Sequence, residues 1–487
     1  MGVKKKIGTN AILNVIKTGL SVLFPLITYP YAIRVLSPAG IGKVAYGSSI
    51  INYFALLAML GISTYATREG AKRRDNRQGF NDFANEVFTI NVIATVIAYA
   101  LLFLALIFVR PWHDYRKLML IQSASILLTT LGIDWVNNVF EDFLYITIRS
   151  ILSHIVNIAL LFILVRTADD YYMYALLTVL TNGFTCVLNW FYCRRYVHIR
   201  LVRRINLKDH FGPIIVLFAN AIAVSIYVNL DVTMLGWMIG DYIVGLYEVS
   251  VKVYSIIKRL LAAIYTVSLP RLAYCLGNKD YSEYKKINTG LWRYLSILLI
   301  PCSVGLIAIA PEIMLFMGGS EMLEATLSLQ ILSGALIFAI FGGLTSMCIN
   351  VTIGREKDVL VATIIGAAVN VGLNAVLIPL WKQNAAALTT MIAELVVFIV
   401  CFLRVPDKKR YVDFKMVGNS ITHGVIASIP IIATSVLTSH LMEEGLLRAV
   451  VVVIGSVLAY GAVLTILKDD IFRNLINTVG KKLKLKR

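Results

Sequence analysis

The sequence has little charge and no long polar region. Asp, Glu, Lys and Arg make up 15% of its 487 residues, hydrophobic residues make up 58%, and the mean hydropathy is +0.76. Soluble domains carry about a quarter charged residues, so this much apolar surface cannot be buried within one water-facing globule. The composition predicts an integral membrane protein with many spans. It leaves no room for a folded catalytic domain outside the membrane.

Motifs of metal and nucleotide chemistry are also missing. There is no CxxC or Cys/His ligand spacing, and no GxxxxGK[ST] phosphate-binding loop. We therefore expect no metal, no cofactor and no ATP hydrolysis, and a sodium ion or a proton is left open as a coupling ion. The cysteines are expected to be reduced core residues; they are Cys186, Cys193, Cys275, Cys302, Cys348 and Cys401.

Fourteen apolar stretches are long enough to cross a bilayer as helices, which satisfy their own backbone hydrogen bonds in lipid. They cover approximately residues 8–33, 44–67, 83–109, 117–139, 144–165, 171–193, 211–239, 244–270, 287–310, 324–350, 359–380, 385–403, 416–438 and 446–467. The first stretch follows three lysines but is too long for a signal peptide and lacks a small-residue cleavage site, so we expect it to be retained.

Basic residues are concentrated in alternate connections. Of the 46 Lys and Arg residues, 32 lie in the two termini and in the connections after even-numbered spans, eight lie in the opposite connections or within the first three residues of the span that follows one, and six lie deeper inside spans. Cytoplasmic loops are expected to be basic, so this split predicts that both termini are cytoplasmic. Membrane orientation thus accounts for the net charge of +18, and we expect no nucleic-acid partner.

A basic connection over residues 194–210 separates six spans from eight. A shift of 203 residues places Gly42 on Gly245 and Leu36 on Ile239, which is a weak sign of an internal repeat. Because six is even, the two copies would share one orientation, related by an axis along the membrane normal. Two bundles with a cavity between them are the architecture of an alternating-access carrier.

The first span carries a polar stripe, since its polar residues fall on one face at helical spacing. Two readings stay open: polar residues that join helices, or the wall of a cavity. Pro25 and Pro30 are expected to kink this helix. The stripe consists of Asn10, Asn14, Lys17, Ser21 and Thr28.

Cations at membrane depth are the strongest functional signal. In the eighth span Lys252 and Arg259 share one face with Glu248 and Ser255, and Lys258 flanks that face. Glu248 stands four residues before Lys252, the favourable order for an ion pair. Charged groups are costly inside a bilayer and usually face a bundle interior or a water-filled path.

Arg149 and Arg293 lie near the predicted inner ends of the fifth and ninth spans. For both, a side chain that reaches back to the interface is the open alternative. A pair with Asp134 or Glu141 is a further alternative for Arg149.

Interior carboxylates are fewer than interior cations. The acids are candidate ion-coupling sites, namely Asp134, Asp231, Glu248 and Glu394. A cavity with surplus positive charge favours an anion, and Arg and Lys are the usual partners of phosphate. The candidate substrate-binding cations are Lys17, Arg34, Arg149, Lys252, Lys258, Arg259 and Arg293.

Seven patches form a series along the chain. They are TYPYAIRVLSPAGIGKVAYGSSIINY (Thr28–Tyr53), DWVNNVFEDFLYITIR (Asp134–Arg149), VRTADDYYMYALLTVLTN (Val165–Asn182), VGLYEVSVKVYSIIKRL (Val244–Leu260), LPRL (Leu269–Leu272), GREKD (Gly354–Asp358) and NVGLNAVLIP (Asn370–Pro379). In this order and spacing they resemble the polysaccharide-transporter branch of the multidrug/oligosaccharidyl-lipid/polysaccharide exporter superfamily.

The resemblance implies an all-α polytopic membrane fold of two six-helix bundles in a V, followed by two further helices. The bundles would cover residues 1–193 and 211–404, with 194–210 as a basic cytoplasmic linker and 405–487 as the extra helices and a basic tail.

The resemblance also implies a function. The protein would be a flippase, not an enzyme, in the bacterial cytoplasmic membrane. It would move polyprenyl-diphosphate-linked oligosaccharide, the repeat unit of O-antigen, capsule or exopolysaccharide, to the outer leaflet. By matching position, Arg34, Lys252 and Arg259 would meet the substrate. Membrane lipid, a glycan polymerase and glycosyltransferases would be the partners.

Physical argument favours the same substrate class. A bare diphosphate in hydrocarbon would cost on the order of tens of kcal/mol, and a basic, hydrated cavity removes most of that cost. We expect the membrane potential or an ion gradient to drive export. A cation-coupled multidrug exporter is the main alternative, although it should favour interior carboxylates. A membrane-bound polymerase or ligase would need a larger outer loop than this chain has.

Overall fold

The computed structural model describes residues 2–474 and 477, and it describes the side chains of these residues except 2–18, 20–23, 207, 208 and 220. Within this part of the chain every regular element is helical, which confirms the predicted all-α class.

Sixteen α-helices account for most of the described residues. They are α1 (Gly2–Met59), α2 (Ile62–Ala71), α3 (Arg77–Phe108), α4 (Arg116–Leu131), α5 (Asp134–Val139), α6 (Phe143–Leu164), α7 (Tyr171–Cys193), α8 (Leu207–Met238), α9 (Asp241–Thr266), α10 (Leu269–Gly277), α11 (Tyr281–Ala308), α12 (Ala310–Gly318), α13 (Thr326–Gly343), α14 (Glu356–Leu403), α15 (Phe414–Leu441) and α16 (Leu446–Ile466). Helix α13 continues into a π-helical segment, Leu344–Val351. Short 3₁₀ helices cover Arg110–Tyr115, Ala168–Asp170, Ser320–Ala325 and Lys408–Arg410.

Twelve candidate membrane spans occur in the described residues. Two of them, Phe24–Ala71 and Glu356–Leu403, are 48 residues long, and each joins two helices at a non-helical residue, Ser37 or Lys382. When these two are counted twice, the described chain has fourteen crossing segments, which is the predicted number.

The lipid-facing sides of these spans carry large apolar side chains. Val96 is 64% exposed, Phe108 is 75% exposed and Val457 is 66% exposed. Such surfaces would be unstable in water, but acyl chains solvate them without cost. The structure thus has the outward hydrophobicity of a polytopic membrane protein.

The first two predicted spans meet at Ser37. This residue has φ 62° and ψ 167°, and the next residue, Pro38, has no backbone N–H to donate. Proline also disfavours the helical conformation of the residue before it. The helix therefore breaks here. Pro25 and Pro30 lie inside the helix before the break, and the kink predicted at these two prolines stays a prediction.

The second part of α1 crosses the start of α9 at two glycines. A Cβ on Gly42 would lie 1.8 Å from the carbonyl oxygen of Asp241, and a Cβ on Gly245 would lie 1.9 Å from that of Pro38. Only residues without a side chain allow this approach. The shift of 203 residues relates Gly42 to Gly245 and Pro38 to Asp241, so the two contacts are equivalent in the predicted repeat.

Internal contacts divide the chain into two units, one ending at Gly245 and one beginning at Leu246. In the first unit α1 packs against α3, α4, α6 and α8. In the second unit α13 packs against α14, and α15 packs against both α11 and α16. The predicted bundle boundaries at residues 193, 211 and 404 stay a prediction.

The connection between α7 and α8 runs as an extended chain along α3. The donors are backbone N–H groups two residues apart, which is the spacing of an extended segment. The acceptors are α3 side chains four residues apart, which lie in one line along the helix. The bonds run from His198 to Asn81 Oδ1 (3.2 Å), from Arg200 to Asn85 Oδ1 (2.7 Å) and from Val202 to Thr89 Oγ1 (3.1 Å). This segment is therefore fixed to the first unit.

Candidate functional site

The charged face predicted for the eighth span lies on α9. The Nζ of Lys252 is 3.4 Å from the Oε1 of Glu248, so the predicted pair is confirmed. Both side chains are half-buried. Because Glu248 precedes Lys252 by one turn, the helix itself holds the two charges together.

Arg259 lies about two turns further along α9. Its side chain is exposed, and it makes no hydrogen bond or ion pair with any side chain that the structure describes. An arginine offers five N–H donors in a fixed planar fork that matches phosphate oxygens. Arg259 is thus available to an anionic ligand.

Lys258 lies beside this face and contacts α14. Its Nζ is 2.5 Å from the Oε1 of Glu394, and the Tyr254 hydroxyl donates to the same oxygen at 3.2 Å. Glu394 is 7% exposed, and a carboxylate this deeply buried needs a paired cation and hydrogen bonds. This cluster joins α9 to α14 through a buried carboxylate in the second unit.

Arg149 is buried on α6 and its charge is compensated. Its Nη2 is 2.7 Å from the Oδ1 of Asp134, and its guanidinium lies 5.4 Å from the centre of the Tyr145 ring. Of the two acids weighed from the sequence, Asp134 is therefore the partner. Glu141 instead pairs with Arg74 at 2.9 Å.

Arg293 joins three segments of the second unit. Its Nε donates to the Ser420 hydroxyl at 3.1 Å, and its Nη2 pairs with Asp470. Burial raises the pKa of the Asp470 carboxyl, but the hydrogen bond and the charge of Arg293, together with backbone hydrogen bonds, outweigh burial, so this pKa lies below its ordinary value. These contacts give Arg293 a structural role between α11, α15 and the residues after α16.

The polar stripe of the first span lies mostly outside the described side chains. This applies to Asn10, Asn14, Lys17 and Ser21. The Thr28 hydroxyl donates to the carbonyl of Phe24 at 3.1 Å, so it is satisfied within its own helix. Arg34 is exposed. The role of the stripe stays a prediction.

The remaining predicted acids differ in environment. Asp231 is buried on α8 and is 4% exposed, whereas the Asp134 side chain is 65% exposed despite its pair. No group of three or more His, Cys, Asp or Glu side chains in the described residues could hold a metal ion.

Sequence reasoning missed a buried ion pair between α12 and α16. The Nη1 of Arg448 is 3.0 Å from the Oε1 of Glu312, and the two side chains are 8% and 0% exposed. Each residue follows a connection or begins a span, where charge is common, so neither stood out. The pair joins α16 to α12 within the second unit.

A family model described as "Polysaccharide biosynthesis protein" matches residues 7–275, more than half of the chain. Two curated relatives are candidate O-antigen transporters by name. The protein of Escherichia coli (strain K12) is 22% identical over 426 residues, 84% of this chain and 99% of the relative. The protein of Shigella dysenteriae is 24% identical over 315 residues, 64% of this chain and 78% of the relative.

Solved structures show the same fold. The lipid II flippase MurJ, in an inward closed conformation, superposes with a TM-score of 0.75 at 17% identity, covering 96% of this chain and all of the other. An inward-facing multidrug-resistance MATE transporter gives a TM-score of 0.59 at 14% identity, covering 79% and 94%. The resemblance read from the seven sequence patches is thereby confirmed.

Proposed function

We propose that this chain, which belongs to the polysaccharide biosynthesis protein family, is a flippase for polyprenyl-diphosphate-linked oligosaccharides in the bacterial cytoplasmic membrane. The names of the two relatives support the substrate class. The observation that carries the proposal is the exposed guanidinium of Arg259, which lies on the same helix face as Lys252 and pairs with no side chain in the described part of the chain. A diphosphate requires such donors. On this proposal the protein is a transporter and not an enzyme.

The two cations lie at different depths. Both termini are proposed to be cytoplasmic, which puts the start of α9 at the outer surface. Lys252 is then about 17 Å and Arg259 about 27 Å from that end, at 1.5 Å per residue. In a hydrocarbon core of about 30 Å, Arg259 meets the diphosphate near the inner leaflet and Lys252 meets it about halfway. The polyprenyl tail stays in lipid throughout.

Transport is proposed to proceed by alternating access. The crossing of α1 and α9 at Gly42 and Gly245 lies at the proposed outer end, so it must separate before a large headgroup leaves. The inside-negative potential favours outward movement of about two negative charges by roughly 4–5 kcal/mol per 100 mV. A proton or sodium ion exchanged at Glu394 against Lys258 is the proposed supplement to this driving force.

Alanine substitution of the two cations tests the assignment. Lys252→Ala and Arg259→Ala should each reduce surface display of the glycan while membrane abundance stays normal. Arg271→Ala is a matched control, since Arg271 is an exposed cation on α10 whose partner Glu283 is 3.6 Å away. Normal display in a chain with both alanines would overturn the assignment. Binding of cationic dyes that is lost on Asp231→Asn would instead indicate a drug exporter.

A further inference from the structure

A small basic cavity lies at the end of α7, away from the charged face of α9. It has a volume of about 140 Å³, and its lining includes Ile133, Trp190, Arg194, His198 and Arg200. All of these belong to the first unit. Arg194 directly follows the last residue of a candidate span, so the cavity lies where that span leaves the membrane.

The two arginines of the cavity have no carboxylate partner in the described part of the chain. The Arg194 guanidinium lies 4.9 Å from the centre of the Phe191 ring. The acids nearby are engaged elsewhere: Asp134 pairs with Arg149 and Asp142 with Arg195. Two uncompensated guanidinium groups at one cavity favour an anion.

The cavity is held open by fixed backbone. The hydrogen bonds from His198 and Arg200 to α3 hold the extended segment in place, and they put these two side chains on the same side, since they are two residues apart. Val197, between the end of α7 and these two residues, is buried, which fixes this part of the segment as well. The cationic side chains are therefore presented by a rigid support.

The surroundings of the cavity suit a membrane lipid. Phe191, whose ring the Arg194 guanidinium contacts, is 61% exposed, so apolar surface flanks this basic group. Trp190 is of the residue type that prefers the headgroup level of a bilayer. A volume of about 140 Å³ is enough for a single lipid phosphate.

We propose that this cavity binds the headgroup phosphate of an anionic glycerophospholipid through Arg194 and Arg200, with His198 as a further hydrogen-bonding group. The apolar neighbours contact the acyl chains. The site is separate from the one proposed for transported substrate and anchors the connection between α7 and α8 to the membrane surface.

Binding of a short-chain fluorescent phosphatidylglycerol to the purified full-length protein in detergent tests this proposal. The double variant Arg194→Gln/Arg200→Gln should bind about 30-fold more weakly. Each cation near a membrane surface contributes about 1 kcal/mol to binding of anionic lipid, so the loss of two corresponds to this factor. The matched control is Arg203→Gln/Arg204→Gln, which removes two exposed arginines of the same segment outside the cavity and should bind almost as tightly as the parent. Arg194→Lys/Arg200→Lys should retain most of the affinity.

Three outcomes would overturn the proposal. The control variant could lose as much affinity as the cavity variant, which would indicate general surface electrostatics. Phosphatidylcholine with the same chains could bind as well as phosphatidylglycerol. Farnesyl diphosphate could displace the probe much better than unlabelled phosphatidylglycerol, which would assign the cavity to the carrier lipid. Gel filtration and the lysine variant show whether a loss of binding reflects misfolding.

Discussion

Gly245→Ala should impair transport by separating α1 from α9. The new Cβ would lie 1.9 Å from the carbonyl oxygen of Pro38, and real Cβ atoms essentially never come within 3.0 Å, so the helices must move apart by at least the difference. Overpacking of this kind costs about 1–3 kcal/mol. If that cost falls on the state in which the helices touch, its population falls about 5- to 150-fold.

Two measurements test this expectation. Glycan display beside membrane abundance reports transport, and it should fall for Gly245→Ala while abundance stays normal. Cysteines replacing Ser49 and Thr233, whose hydroxyl oxygens are 3.0 Å apart, report the approach of α1 and α8 in a chain without native cysteines. Because α9 follows α8 after a short turn, a shift of α9 away from α1 should also move α8 away from α1. Cross-linking of the two cysteines should therefore fall as well.

A helix glycine with open space around it provides the control. A Cβ on Gly372 in α14 would meet nothing within 4 Å, so Gly372→Ala should leave display and cross-linking unchanged. If Gly245→Ala also left both unchanged, close approach of α1 and α9 would not be part of the transport cycle.

Three further results are expected. Asn85→Ala removes the acceptor of one linker hydrogen bond, worth about 1 kcal/mol, so trypsin should cleave the connection between α7 and α8 faster than in the parent. Glu312→Ala leaves Arg448 buried without its partner, which should destabilise the protein by about 3–5 kcal/mol and lower its melting temperature in detergent. The double variant Glu312→Met/Arg448→Leu should recover most of that loss. Glu394→Gln keeps the hydrogen bond from Tyr254 but removes the charge that faces Lys258. Flipping in proteoliposomes should then lose its dependence on an imposed ion gradient. Unchanged dependence would exclude this cluster as the coupling site.

The membrane spans were predictable because their signal is local. Hydropathy over about 20 residues locates a crossing helix, and helical spacing alone placed Glu248 beside Lys252. The two joined helices at Ser37 and Lys382 do not disturb this count, since each break occurs between apolar stretches.

Contacts between distant residues were not predictable from the same patterns. Lys258 and Glu394 were both noticed as interior charges, but no spacing rule relates residues on α9 and α14. The break between the first two spans depends on Pro38, and hydropathy does not distinguish this proline from the others in the helix. The cavity at the end of α7 depends on Asn81 and Asn85, which look like ordinary polar residues of a helix start.

The pair of Glu312 and Arg448 has a consequence for how this chain can change length. A descendant gene that ended before α16 would remove Arg448 and leave the Glu312 carboxylate buried without a partner. Loss of the last helix would therefore require a simultaneous change at Glu312. Shortened homologues with the same fold should carry a neutral residue at that position.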